Sequence, residues 1–309
     1  MPTRFRWMRL QPQETALIAI TAAWGSTFLL VHWAMQHSGP WFFVGLRFLI
    51  AGAISVVIFR KALRGIRWRD IGAGVSIGVM IHLGYGLQTV GLQTIDSSTS
   101  AFITAMYVPL VPLAQWAVFR RRPPAMAFVG AGLAFLGLLL IAGPDAFALT
   151  LGTGEIVTML STLPIAAEII LISVFAGRID LGRITIVQLL TAGVLGLLTM
   201  PVVGEGFPEF SWVWVACAVG LGVSSCLIQL TMNWAQKSVS PTRATVIYAG
   251  EPVWAAVIGR AAGERLPATA LIGGALVVLG ILASELKLVR RRRTNRRRDP
   301  ATPVVSNRE

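Results

Sequence analysis

Five ionisable residues fall inside long apolar stretches of this sequence: His32, Arg47, His82, Glu168 and Glu251. An ionised side chain at membrane depth costs about 2.5–3.5 kcal/mol on insertion scales, so it turns inward and marks a pathway or a pair. Ser161 and Pro164 precede Glu168 by seven and four residues, on one helical face. Pro164 has no N–H, which leaves the carbonyl of Leu160 free for ligand or water. Pro252 beside Glu251 frees the carbonyl of Tyr248 in the same way. Either carboxylate can hold a substrate ammonium, titrate as a proton relay, or pair with Arg47. Arg47 begins about 9 Å inside its stretch, at 1.5 Å per residue, and can snorkel outward or pair inward. His32 lies near the end of its stretch, within reach of headgroups.

Neutral polar groups extend these positions into stripes. From His82, the residues Tyr85, Thr89 and Gln93 continue one helical face, and Ser225, Gln229, Asn233 and Gln236 form a second. The first apolar stretch adds Thr21, Trp24 and Phe28, with Thr27 among them. Ser100, Thr104 and Tyr107 belong to the fourth stretch, and Thr245, Tyr248 and Glu251 to the ninth. Together they describe a cavity with aromatic walls, two acids, imidazole and many neutral donors. Such a cavity suits a small zwitterion or cation carrying an apolar side chain, with Trp24, Tyr85, Tyr107 and Tyr248 able to stack on a ring or a cation. Trp7, Trp41, Trp68, Trp116 and Trp212 fall at stretch ends and read as interfacial belts.

Other chemistries find no footing. No hydrolase or kinase motif occurs, no cofactor is called for, and no cluster has metal-ligand spacing. Gly130, Gly132 and Gly137 sit in an apolar helix with no adjacent Lys-Ser/Thr, so they are packing glycines rather than a phosphate loop. Cys217 and Cys226 are nine residues apart on one helix, about 180° in azimuth, and cannot bridge. The charge of +13 is positioned for a membrane, with nine of the 27 Lys+Arg beyond Leu286 and most others between apolar runs, a pattern of anionic headgroups rather than nucleic acid.

The elements that must carry these groups follow from composition. The 309 residues are 55% hydrophobic and only 13% charged, with a mean hydropathy of +0.69, about half the charge of a soluble domain. A span takes about 20 apolar residues. Ten segments qualify: 14–36, 41–60, 70–92, 97–119, 124–143, 152–176, 184–203, 210–236, 242–262 and 267–287. The N-terminal segment 1–13 is too polar for a signal peptide's core, so the first span is expected to stay. With the N-terminus in the cytoplasm, 24 of the 27 Lys+Arg fall inside, while Asp96, Asp145, Glu205, Glu209 and Glu264 fall outside. Sliding the chain by 143 aligns 93–139 with 236–282 without gaps and with fourteen identities, among them Pro109 with Pro252, Gly130 with Gly273 and Gly137 with Gly280. Each half has five spans, an odd number, so the second copy enters from the opposite side. The expected fold is an all-α polytopic membrane protein of ten transmembrane helices in two inverted five-helix repeats, 14–143 and 152–287. Both termini are cytoplasmic, and a basic tail over 288–309 lies near anionic lipid.

The pattern resembles the drug/metabolite transporter superfamily, EamA type. The residues carrying the resemblance are Trp24-Gly25-Ser26-Thr27-Phe28, Arg47-Phe48 with Ala51, and Gly91-Leu92 leading through Ser98-Thr99-Ser100-Ala101-Phe102 to Pro109. Ala244 through Glu251-Pro252, the Gly263-Glu264-Arg265-Leu266 turn and Gly273 with Gly280 complete it. Arg120-Arg121-Arg122 departs from it, where such proteins often place a Glu. The resemblance implies secondary transport, often export of amino acids or other small metabolites; the inverted repeat adds alternating access across an inner membrane, and the aromatic walls add aromatic amino acids to the expected substrates. On the resemblance Arg47 is a structural clamp; Pro109, Pro164 and Pro252 are structural or gating positions, where interrupted helices can rock. Drug, nucleotide-sugar or phosphometabolite exchange is a second transport reading. An intramembrane enzyme pairing His82 with Glu168, or a lipid-handling scaffold, is the reading from another class. The expected partners are a small-molecule substrate and the bilayer, with the chain a monomer or a homodimer.

Overall fold

In hydrocarbon every backbone N–H and C=O must be satisfied within its own segment, so apolar stretches of this length fold as helices. The computed structural model describes residues 11–120, 123, 125–142, 152–263 and 269–284. The terminal segment 1–10, the basic tail, Arg121, Arg122, Pro124, Asp145, Glu264, Arg265 and Pro267 lie outside the described residues.

Among the described residues the structure is all helical, with no strand. The helices are α1 (Pro12–Met35), α2 (Pro40–Ile58), α3 (Trp68–Gly91), α4 (Ser97–Thr104), α5 (Tyr107–Phe119), α6 (Ala125–Ala142), α7 (Thr153–Phe175), α8 (Leu181–Val202), α9 (Trp212–Ala235), α10 (Pro241–Tyr248), α11 (Glu251–Ala261) and α12 (Ala270–Ser284). They group into ten units at the positions expected from sequence. Seven stretches are long and apolar enough to cross a membrane: α1, α2, α3, α4 with α5, α7, α8 and α9.

The segments 97–119 and 242–262, expected as unbroken spans, are each two helices. After α4 the chain turns tightly, with Met106 N–H donating to Ile103 and Val108 N–H to Ala105. After α10, Gly250 N–H donates to Ile247. Pro109 and Pro252 then fall in the first turns of α5 and α11. First-turn N–H groups have no acceptor within a helix, so proline starts a new helix there rather than kinking an old one.

Glycines fix how the two halves meet. Gly45 abuts Leu197, Leu49 abuts Gly193, and Gly52 abuts Leu190. Numbers rise along α2 as they fall along α8, so these second helices of the two halves run antiparallel. The same holds for α6 and α12: Gly137 abuts Gly273 and Val277, while Gly280 abuts Gly130 and Ala134. At the offset of 143 those are one contact read from both sides. Each end of α8 is also pinned. Arg183 donates to the carbonyls of Ala62 and Arg64 and reaches Asp70 at 3.1 Å. At the far end the Glu205 carboxylate accepts from the N–H groups of Trp41 and Phe42, 3.0 and 2.7 Å away, capping the N-terminus of α2.

A Cβ placed on Gly196 would lie 2.6 Å from the Gly45 Cα, whereas Gly220 has nothing within 4 Å. Gly196→Val is therefore expected to cost about 1–3 kcal/mol through overpacking, with Gly220→Ala unchanged or slightly stabilised, in thermal unfolding of the detergent-solubilised protein. Equal behaviour of the two variants would contradict the α2–α8 contact.

Candidate functional site

The buried polar groups of α2, α3, α5, α7, α10 and α11 come together around the two helix breaks. Arg47 of α2 is 2% exposed, Glu168 of α7 1% and Glu251 of α11 2%. All three tyrosines of the chain, Tyr85 of α3, Tyr107 of α5 and Tyr248 of α10, are buried here with them.

Each charge has a different surrounding. The Arg47 Nε donates to Ser225 Oγ at 2.7 Å, and its guanidinium carbon lies 5.3 and 5.2 Å from the ring centres of Phe48 and Tyr85. Glu168 closes a chain of amides: Gln188 Nε2 donates to Gln229 Oε1 at 2.8 Å, and Gln229 Nε2 donates to Glu168 Oε1 at 2.7 Å. Glu251 is the first residue of α11, at the break, and faces the Tyr107 hydroxyl and, farther off, Arg47. Its Oε1 and the Tyr107 hydroxyl both lack a hydrogen-bond partner. Ion pairs within 4.0 Å among the described residues are Asp70–Arg183 and Glu14–Arg243, so Arg47 is joined to neither carboxylate.

Aromatic rings close the walls. Trp24 of α1 meets Tyr248 edge-on at 5.5 Å, and Phe48 meets Tyr85 edge-on at 5.1 Å. Gln236 Nε2 reaches the Tyr248 hydroxyl at 3.3 Å. Asn233, about one turn earlier in α9, donates to Thr185 of α8 at 3.0 Å.

Several sequence candidates sit apart from this cluster. His82 lies beside Thr199, with Nε2 at 3.2 Å from its hydroxyl, and packs on Trp41, its Nδ1 unpartnered. His82 and Glu168 thus have separate partners, and the pair that an intramembrane enzyme would need is not bonded. Thr27 and Ser161 turn their hydroxyls back to their own helices, to Trp24 O and Thr158 O. Thr104 accepts from Gln88 at 3.0 Å. Pro164 lies within α7, which continues unbroken past it. His32 Nδ1 is 3.2 Å from Leu92 O, tying the end of α1 to the end of α3.

Sequence reasoning missed Gln188, Thr185 and Gln88. Gln188 and Thr185 are three residues apart in an apolar span, and Gln88 follows Tyr85 by three, so helical spacing carried the signal in both places.

Residues 13–143 and 152–285 each match the model of the EamA-like transporter family. The chain belongs to this family. An uncharacterized transporter of Archaeoglobus fulgidus is 27% identical over 279 residues, covering 89% of this chain and 86% of its own. The uncharacterized inner membrane transporter YedA of Escherichia coli K12 is 26% identical over 320 residues, 97% of each chain. The uncharacterized transporter YoaV of Bacillus subtilis is 22% identical, covering 89% of this chain and 97% of its own. A solved crystal structure has the same fold at a TM-score of 0.70 and 17% identity, over 88% of this chain and 96% of that one. This EamA-like protein is therefore an integral membrane transporter, and its cluster of buried charge lies in a chain whose relatives are named for moving solutes rather than for a reaction.

Gln229 is the shared partner of Gln188 and Glu168. Gln229→Leu should cost about 1–3 kcal/mol of stability by stranding both, while Gln188→Leu added to it costs little more. Denaturant unfolding of the two single variants and the double checks this, and fully additive losses would contradict the chain.

Proposed function

We propose that the protein is an alternating-access secondary transporter of the inner membrane that exports amino acids, aromatic ones among them, or related small metabolites. In this reading the two family-matching halves form an inverted repeat, both termini face the cytoplasm, and substrate binds between the halves. The antiparallel pairing of α2 with α8 and of α6 with α12 supports the inversion, because corresponding helices of parallel repeats would run the same way through the bilayer.

One observation carries the substrate class. Arg47 and Glu251 are opposite charges buried in one cluster and not joined to each other. Desolvating each costs several kcal/mol, recovered only by a close partner. A zwitterion supplies both partners at once, its carboxylate on Arg47 and its ammonium on the vacant Oε1 of Glu251. Trp24, Tyr85, Tyr107 and Tyr248 then surround its side chain. A pure anion such as a sugar phosphate would meet one cation and two acids, which argues against phosphometabolite exchange.

The cluster is closed around its own side chains, with all three tyrosines at most 4% exposed, so loading requires the half-helices at the two breaks to move. Small residues and prolines at both breaks give them that freedom. Glu168, held by the amide chain, is the carboxylate placed to take up a proton as the halves exchange.

Uptake into proteoliposomes against a panel of amino acids, with and without a pH gradient, tests this reading. Wild-type protein is expected to move large apolar amino acids. Glu168→Gln is expected to retain exchange and lose any acceleration by the pH gradient. No amino-acid flux, or a gradient response untouched by Glu168→Gln, would overturn the substrate class or the proton role respectively.

A further inference from the structure

A second feature lies away from the central cluster, at the end where α5, α7, α9 and α10 come together. A cavity of about 560 Å³ opens there, between Gln115, Arg178, Gln236, Lys237 and Ser240 among its lining residues. Such a volume lies within the usual range of small-molecule sites. Arg178 and Lys237 are exposed, while Gln236 is 3% exposed. Gln236 Oε1 has no hydrogen-bond partner, and its Nε2 is committed to the Tyr248 hydroxyl. Gln115 Oε1 already accepts from the N–H and hydroxyl of Thr242, at 2.9 and 2.8 Å, so the start of α10 is capped by the protein itself.

We propose that this cavity is a loading site for a zwitterion, distinct from the central cluster, with Arg178 and Lys237 receiving its carboxylate and Gln236 Oε1 its ammonium. The proposal rests on the amino-acid reading above and adds a site and a sidedness to it. Cations at a concave mouth raise the local concentration of carboxylates. A buried acceptor without a donor leaves a cost that an arriving N–H removes. Both features belong to residues that line one cavity, and a ligand with both groups answers both.

Gln236 also bolts the way inward. Its bond to Tyr248, whose ring stands against Trp24, links cavity and cluster. Gln236 Oε1 is buried, so the side chain must turn to meet a ligand, and turning breaks the Nε2 bond and releases Tyr248. The opposite end lacks this arrangement: at the offset of 143, Gln93 takes the place of Gln236 and is exposed, and Ala105 takes the place of Tyr248 and has no hydroxyl. The site therefore serves loading from one face, the one where Arg178 and Lys237 stand.

Two measurements test it. In the first, Ser238, an exposed residue of the cavity lining, is changed to Cys and the Ser238→Cys protein is labelled with a membrane-impermeant maleimide; Cys217 and Cys226 are buried and leave this thiol as the reactive one. Phenylalanine is expected to protect Ser238→Cys, with phenethylamine and 3-phenylpropanoate, each carrying one of the two charges, protecting far less. Protection should persist in Glu251→Gln and vanish when Arg178→Gln and Lys237→Gln are combined. Absence of protection by phenylalanine, equal protection by the singly charged analogues, or its loss in Glu251→Gln would each overturn the proposal.

In the second, phenylalanine transport is compared in inside-out and right-side-out vesicles. The Arg178→Gln/Lys237→Gln variant is expected to raise KM about tenfold from the Lys237 face and leave KM from the other face unchanged. An unchanged KM from both faces, or an equal rise from both, would overturn the loading role. Protection of Ser238→Cys without transport would end the amino-acid transport reading and leave the site standing. Transport without protection would do the reverse.

Discussion

Two opposite charges kept apart in a medium that penalises both of them organise this molecule. Arg47 leans on Ser225 and two aromatic rings, and Glu251 stands at a helix break with one oxygen vacant. Direct pairing would relieve the cost of desolvation, yet the backbone holds them beyond ion-pair distance. Keeping them apart takes a stiff support for at least one of the two.

That stiffness has identifiable sources. Glycines along α2 and α8 bring the two backbones close, and Arg183 and Glu205 fix the ends of the pair to neighbouring turns. Arg47 rides on this rigid element. Glu251 and Tyr107 instead begin the second halves of broken helices, where few backbone bonds connect what lies on either side. One pole of the site is thus fixed and the other movable. A ligand spanning them would be held by the scaffold at one end and would draw on the half-helices at the other, which is how binding energy can bias a two-state packing.

Much of this was legible in the residues. Hydropathy and charge located all ten helical units to within a few residues, because in lipid the length of a span and its backbone hydrogen bonding leave little choice. Arg47, Glu168, Glu251 and the tyrosines stood out because charge and hydroxyls are costly in that setting. The breaks were not read, since Pro109 and Pro252 look like kinks until one sees that they occupy first turns. His82 was grouped with Tyr85 by helical spacing, but three residues of α-helix also turn the side chain by about 60°, enough to face Thr199 and Trp41 instead. Gln188 shares a helical face with Thr185 but carries no charge to flag it, and its partner Gln229 lies across a helix interface.

If Arg47 and Glu251 read the two charges of one ligand, removing one of them changes selectivity and not merely activity. In counterflow with reconstituted protein, Glu251→Gln removes the pole for the ammonium and leaves the pole for the carboxylate. Phenylalanine exchange is expected to fall at least about tenfold, the loss of one charge-assisted hydrogen bond, while exchange of 3-phenylpropanoate rises above its wild-type level. Phenylalanine exchange that survives the substitution, or an equal fall for both solutes, would contradict it.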